Sequence, residues 1–461
     1  MYVIDTLTKK KKNISICTFI RLYVCGSTVY DNCHLGHLRL FLFFDMVARY
    51  VFLKDIDVLW VRNITDVDLK IINKVHKRCS KAEDLIDFYI FSMFKDCVIS
   101  KLMRPTFEPM ATGYILQMLQ LIDVLLMSKC AYISLNGDIC FDVTSNFTYG
   151  KLSSQNINSL YHGIRIVADA RKRSYSDFVL WKLCPSGILR WDSKWGSGRP
   201  GWHIECSAMV VYFFGDCVDY HGGGVDLIFP HHENECAQVE SIFKKNYTDV
   251  WLHVGLILFD KQKMSKSYYN FVKAYDLLTI VGSDVIRYYF LRSHYKQPLE
   301  YNLDTIYNCE IFIKKIKSIY TYFGFNGCGF KIDYRKIFKT VFFVYLVNNM
   351  DADFNTPKSI TIIQQLLYII NYNKQGGLYK ECLFLISCLY VICAVLGFSK
   401  DIYVVGQCCD GKNIQASDFL VSIATLHVIR VRIRKRGQWL LADTIRYILY
   451  VAGFVVNDVK K

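Results

Sequence analysis

The sequence predicts an α/β fold, in which a parallel-sheet domain is interrupted by an inserted segment and followed by a C-terminal helical domain. Three observations predict it. A strand, helix and strand pattern opens the chain, from Leu22–Cys25 through the apolar run Leu38–Leu53 to Val58–Ile64. The pattern resumes with a helical Trp202–Phe214 and an extended Val218–His221, after short mixed patterns between Met110 and Ser193. Beyond about Tyr307 the chain turns to long apolar helical segments.

Each element has a local reason. A strand followed by a loop and a helix builds a parallel sheet whose ligands bind at the strand's C-terminal end, so the loop from Gly26 to Gly36 is the first place to look for a site. Pro230 suits the first turn of a helix and is expected to open one running through Ile242. The polar stretch Asn371–Gly377 reads as a loop between helices. The expected division is 1–110 with 194–240 for the sheet domain, 111–193 for the insert, 241–306 for a lysine-rich loop region and 307–461 for the helical region.

A chain of 461 residues, 52% hydrophobic and 21% charged, is long enough for two to four cores and lacks the composition of disorder. The 56 Lys and Arg against 41 Asp and Glu leave +15, which favours a polyanionic partner such as nucleic acid. The 18 cysteines include no C-x-x-C pair, which points to a reducing cytoplasm and not to a disulfide framework. Arg21 interrupts the apolar stretch behind the Lys9–Lys12 run, so no signal peptide is expected. The uncharged run Cys382–Phe398 contains Ser387 and is read as a buried bundle helix, with no membrane span. Arg430, Arg432, Arg434, Lys435 and Arg436 make either a solvated helix face or a phosphate-contacting surface.

Three constellations could carry chemistry. His34-Leu35-Gly36-His37 enters a helix directly after the first strand, where backbone N–H groups favour anions and two imidazoles can donate to phosphate oxygens. Taken alone, it reads first as two histidines in a surface turn. Lys263-Met264-Ser265-Lys266-Ser267 follows the strand-like Leu256–Phe259 and offers two ammonium groups to a pyrophosphate. Behind an upstream H-x-G-H it gains weight. His231 and Glu235, four apart, share a helix face and could share a metal ion, with thiolates from Cys25 and Cys206 completing a set that suits zinc. No ligand spacing in the sequence establishes that grouping.

Two motifs are decoys. Gly196-Ser197-Gly198-Arg199-Pro200-Gly201 matches a dinucleotide fingerprint but follows a polar stretch and not a strand. His232-Glu233 imitates the start of a metalloprotease motif, but its fifth position is Cys236.

Taken in order, these segments resemble the cysteinyl-tRNA synthetases, a family of class I aminoacyl-tRNA synthetases. The resemblance runs from Tyr23–Gly26 and His34–His37 through Val61–Asp68, Gly201–Cys206, His221–Glu235 and Lys263–Ser267 to Met350–Pro357. It implies a Rossmann-like catalytic domain, a zinc ion held by Cys25, Cys206, His231 and Glu235, and ATP contacts from His34, His37 and Lys266, with Lys263 assisting. It also implies that Thr65, Trp202, His221 and Asp226 line the amino-acid pocket, with core packing as the lesser alternative for Thr65 and Trp202. The implied reaction joins L-cysteine to ATP, with Mg²⁺, as cysteinyl-adenylate, then passes it to the 3′ end of tRNA(Cys). A cytoplasmic monomer with a tRNA-contacting loop region at 241–306 and an anticodon-binding region at 307–461 is the corresponding expectation.

The chain departs from the family pattern in having Ser27 in place of proline, Leu69 in place of aspartate and Tyr268-Tyr269 in place of Leu-Gly, and in lacking the glycine and tryptophan tail after Arg446. None of these removes a named site residue. A ligase that passes cysteine to an amino sugar and a non-catalytic tRNA-binding paralogue are the rival readings. The helical region past the lysine motif counts against the first, and the intact motif and ligand residues count against the second.

Overall fold

The computed structural model describes residues 1–14, 19–79, 81–155, 172–184, 186–264, 270–325 and 332–398. Its first element pair is a short hairpin of β1 (Tyr2–Ile4) and β2 (Lys11–Asn13). β3 (Phe19–Val24), α1 (Leu35–Leu53) and β4 (Asp57–Arg62) then form the expected strand, helix and strand unit. β3 and β4 pair in parallel from Phe19 with Asp57 to Val24 with Arg62. A helix that is apolar nearly all round is a buried one, and α1 is buried from Leu38 through Val51.

The chain continues through α2 (Leu69–Arg78), α3 (Ala82–Ile99) and α4 (Ile115–Met127). A separate antiparallel sheet follows, made of β5 (Ala131–Ile133), β6 (Ile139–Phe141), β7 (Phe178–Leu183) and β8 (Gly198–Pro200) in that order. α5 (Trp202–Phe214) returns the chain to the parallel sheet at β9 (Val218–Gly224), and α6 (Glu233–Phe243) leads to β10 (Thr248–Val254).

The parallel sheet has the order β10-β9-β3-β4. Strand order therefore reverses beside β3, and such a switch point opens a crevice at the C-terminal ends of the strands. Gly222 permits close packing there, because a Cβ on it would lie 2.0 Å from the Phe44 ring of α1. β10 belongs to this sheet although it lies beyond residue 240, and the inserted antiparallel sheet reaches Pro200.

A small sheet of β11 (Ile257–Phe259), β12 (Gln262–Lys263) and β13 (Leu299–Glu300) follows, with α7 (Ala274–Val281) and α8 (Ser283–Leu291) between its strands. Asp260 and Lys261 both have positive φ, which turns the β11–β12 hairpin tightly and places Lys263 on a strand instead of in a loop.

The helical region comprises α9 (Leu303–Tyr322), α10 (Tyr334–Phe338), α11 (Val341–Met350), α12 (Thr356–Gln375) and α13 (Tyr379–Val395). The expected loop at Asn371–Gly377 is mostly helix: α12 carries its polar last turn in solvent and ends only where Gly377 takes φ +72°. α13 buries Cys382, Ile386, Leu389 and Ile392 completely against its neighbours, about 1.5–3 kcal/mol for each large aliphatic side chain. Among the described residues no helix is long and apolar enough to cross a membrane.

Candidate metal centre and nucleotide site

Cys25 stands one residue past the end of β3, and its backbone N–H donates to Gly222 O at 2.9 Å, extending the ladder toward β9. Cys206 lies in the second turn of α5. Their sulfurs are 3.7 Å apart and buried, although the residues are 181 positions apart in sequence. Two thiolates on one tetrahedral zinc at 2.3 Å would stand about 3.8 Å apart.

His231 and Glu235 complete the group: Nε2 of His231 lies 3.1 Å from Oε1 of Glu235, and Cys25 Sγ lies 3.5 Å from the same oxygen. One ligand atom from each of Cys25, Cys206, His231 and Glu235 lies within 4.8 Å of all the others. The donor set and its spacing fit a tetrahedral metal of intermediate softness.

The helical run carrying His231 and Glu235 opens at Pro230, as expected. Phe229 is extended at φ −133° and ψ 132°, which kinks the chain after Ile228, and Pro230 to His232 then lead directly into α6 at Glu233. The spacing of four keeps His231 and Glu235 on one face because Pro230 to His232 run directly into the helix.

Electrostatics follow from burial and mutual contact. Burial pushes the Cys206 thiol up, but hydrogen bonding with Cys25 and the neighbouring His231 outweigh it and hold it at about 7. Burial raises the Cys25 thiol well above its ordinary value. His231 loses stability as a cation through burial, yet Glu235 and Cys206 raise it to about 10. Burial also works against the Glu235 carboxylate, but His221 and His231 keep its pKa below the ordinary value.

A second tetrad shares two of these residues: Cys25, His221, His232 and Glu235 also lie within 4.8 Å of one another. His221 Nε2 is 3.6 Å from Cys25 Sγ and 3.5 Å from Glu235 Oε2, and its buried Nδ1 has no hydrogen-bond partner among the described residues. His232 Nε2 is 3.3 Å from Cys25 Sγ, its Nδ1 is 2.8 Å from His253 Nε2, and His253 Nδ1 meets Thr6 Oγ1 at 2.9 Å. Gly223 makes room for His232, whose ring carbon would be 2.7 Å from a Cβ there.

Sequence reasoning gave no role to His232, His253 or Tyr247, whose hydroxyl donates to Glu235 Oε2 at 2.8 Å. The doubled histidine at 231–232 is the signal the sequence offers for His232, since its neighbour His231 is already an expected ligand.

Of the expected pocket residues, Trp202 stacks on His231 with ring centroids 4.4 Å apart and remains partly exposed. Thr65 is buried, and its backbone pairs with Ser27 and Val29 in the loop after Cys25. Asp226 is exposed, and its carboxylate receives Lys263 Nζ at 2.8 Å.

The histidine pair caps α1. His34 Nδ1 accepts from Gly36 N at 3.0 Å, while His37 Nδ1 accepts from His34 N at 3.2 Å, and the rings stack 3.8 Å apart. Because each Nδ1 accepts a backbone proton, each neutral ring carries its own proton on Nε2 as a donor. The helix N-terminus and these donors favour an anion.

The chain returning from the lysine motif pairs beside them: Leu35 N donates to Val272 O at 3.2 Å and Ala274 N to Cys33 O at 2.8 Å. On the other side Met264 N donates to Ile257 O at 2.9 Å, and Asn270 Nδ2 to Lys263 O at 3.1 Å. Lys266 lies outside the described residues, as do the basic residues between Arg430 and Arg436.

A parallel sheet with a switch point, an imidazole-capped helix and, beside it, the segments that flank the lysine motif define a class, and a sequence model of the class I (C) tRNA synthetase catalytic domain matches residues 12–310. The chain is a class I tRNA synthetase in fold and family. It is 38% identical to the cysteine–tRNA ligase of Baumannia cicadellinicola subsp. Homalodisca coagulata, over 99% of this chain and 97% of that one. The Legionella pneumophila (strain Corby) cysteine–tRNA ligase is also 38% identical, and that of Shewanella piezotolerans 35%, each over at least 98% of this chain and 97% of the relative. The chain therefore belongs to the cysteine–tRNA ligase family.

Solved structures agree on the fold. Mycobacterium tuberculosis methionyl-tRNA synthetase in complex with methionyl-adenylate superposes with a TM-score of 0.60 at 14% identity, over 82% of this chain and 90% of that one. The ternary complex of Agrobacterium radiobacter K84 agnB2 LeuRS with tRNA and LeuAMS gives 0.60 at 10% identity, over 87% and 86%.

Proposed function

We propose that this chain activates L-cysteine with ATP, transfers it to the 3′ end of tRNA(Cys), and recognises the amino acid's thiol at a zinc ion held by Cys25, Cys206, His231 and Glu235. The observation that carries the reading is the buried tetrad at the C-terminal edge of the sheet, in the same crevice-bearing domain as the imidazole cap of α1. Family membership supports the two-step reaction, and the donor chemistry supports the metal.

Bound zinc supplies a soft Lewis acid that prefers a thiolate to a hydroxyl, which matters because an apolar pocket separates near-isosteres by only about a hundredfold. The chain's own residues do the remainder. Cys25, Cys206, His231 and Glu235 hold the ion; Tyr247 orients Glu235, and the His232, His253 and Thr6 chain keeps His232 fixed against Cys25. Trp202, stacked on His231, walls the thiol site, and Thr65, His221 and Asp226 complete the amino-acid pocket.

His34 and His37 donate from Nε2 to the triphosphate, Lys266 with Lys263 neutralises the pyrophosphate, and Mg²⁺ accompanies ATP. The cysteine carboxylate attacks the α-phosphorus in line and pyrophosphate departs. A terminal ribose hydroxyl of tRNA then attacks the adenylate carbonyl and AMP leaves, so no side-chain nucleophile is needed.

The region 241–306 meets the tRNA stem and 307–461 the anticodon arm, and the +15 charge of the whole chain favours such a polyanionic partner. The described cysteines are all free, which suits a reducing cytoplasm, and the enzyme acts as a monomer. Cysteine-dependent ATP–pyrophosphate exchange tests the reading. Zinc-loaded protein exchanges with cysteine and not with serine, and Cys206→Ser loses both bound zinc and exchange; full exchange by metal-free Cys206→Ser would refute the zinc role.

A further inference from the structure

The side chain of Arg39 is buried in the second turn of α1, two residues beyond His37, and among the described residues no carboxylate pairs with it. Its guanidinium is held by backbone carbonyls. One terminal nitrogen donates to Gly255 O at 2.9 Å and Leu256 O at 3.0 Å; the other donates to Gln297 O at 2.7 Å and, more weakly, His294 O at 3.4 Å. Burial lowers its pKa to about 10, so it remains a cation at neutral pH.

A buried cation without a counter-ion is costly, and four converging carbonyls are what keeps it there. They come from two segments. Gly255 and Leu256 connect β10 to β11, the strand that hairpins to Lys263, and 294–297 precede β13, which pairs with β11. The segments are pressed together: Gly255 N donates to Tyr295 O at 2.8 Å, and a Cβ on Gly255 would lie 2.5 Å from Gln297 O. Only glycine fits, and only a planar fork reaches all four oxygens.

We infer that Arg39 is a positioning residue for adenylate formation, locking the helix that presents His34 and His37 to the base of the lysine-motif hairpin so that both reach one triphosphate. The inference rests on the assignment of those groups to ATP. Misplacing either motif by about 1 Å costs on the order of a hundredfold in rate.

Arg39→Lys keeps the charge and loses the fork, while Gly255→Ala pries the same junction from the other side. Steady-state pyrophosphate exchange on the folded, zinc-loaded full chain separates the substrates. For both variants kcat falls at least about tenfold and the KM for ATP rises, while the KM for cysteine stays within about twofold and zinc content is unchanged. Equal rises in both KM values, or kcat and ATP KM within about twofold of the parent, overturn the inference. His37→Asn in the same assay monitors the underlying assignment. An impaired His37→Asn beside a normal Arg39→Lys rejects the role of Arg39 alone, whereas a normal His37→Asn rejects the phosphate site on which it rests.

Discussion

Replacing Tyr247 by phenylalanine isolates one hydrogen bond at the metal centre. Tyr247 is fully buried, and its hydroxyl donates to Glu235 Oε2 at 2.8 Å while His231 occupies the region of Oε1 at 3.1 Å. Burial, with Glu235 beside it, raises the phenol far above its ordinary range, so it is always a donor. Phenylalanine keeps the ring against His221 and Trp251, at centroid distances of 5.3 and 5.8 Å, and deletes only the O–H. A hydrogen bond to a charged group contributes about 1.5–3 kcal/mol. Removing a partner that orients a ligand typically costs about 10–100-fold in metal affinity, or about 1.4–2.8 kcal/mol, so the two scales agree. Chelator competition at fixed pH measures it: zinc affinity drops by one to two decades, and the KM for cysteine rises while that for ATP holds. Affinity within about twofold of the parent would refute the view that Tyr247 orients the ligand.

Two predictions concern the scaffold. Asp45 accepts from Arg49 Nε at 2.9 Å and from Arg287 at 2.6 Å, both in the buried interior, so Asp45→Ala strands two cations and destabilises the fold by about 3–5 kcal/mol in urea denaturation. Burial opposes the Asp45 carboxylate, but Arg49 and Arg287 depress its pKa, so its stabilisation is complete above the unfolded value of about 4 and is lost as pH falls through the lower folded value. Asp96 has the opposite sign. Both of its buried oxygens lack partners among the described residues, and burial, with Asp276, raises it to about 7 against Lys95. Stability attached to its neutral form is present below the unfolded value and is lost as pH rises toward 7; Asp96→Asn therefore narrows the difference in urea midpoint between pH 5 and pH 8, and an unchanged difference contradicts it.

Much of this was legible along the chain. The apolar run of α1 declared a helix buried on all sides, the switch to longer apolar segments near Tyr307 marked the helical region, and spacing alone set His231 and Glu235 on one face. Local signals failed where tertiary context overrides them. Asn371–Gly377, expected as a loop, is mostly the last turn of α12, because an exposed helical turn tolerates polar side chains, and Lys263, expected in a loop, stands on β12.

By itself the sequence determined the periodic elements, the two signature motifs and their order, since helix and strand periods are properties of neighbours within a few residues. Only the tertiary structure decided which distant groups meet. The order β10-β9-β3-β4 sets β3 beside β9, so that Cys25, His221 and the His231–Glu235 run after β9 converge, and α5 brings Cys206 to them from 181 residues away. The same folding buries Arg39 against carbonyls more than two hundred residues distant. Those partners are backbone oxygens, present in every residue, and no side-chain pattern could have announced them.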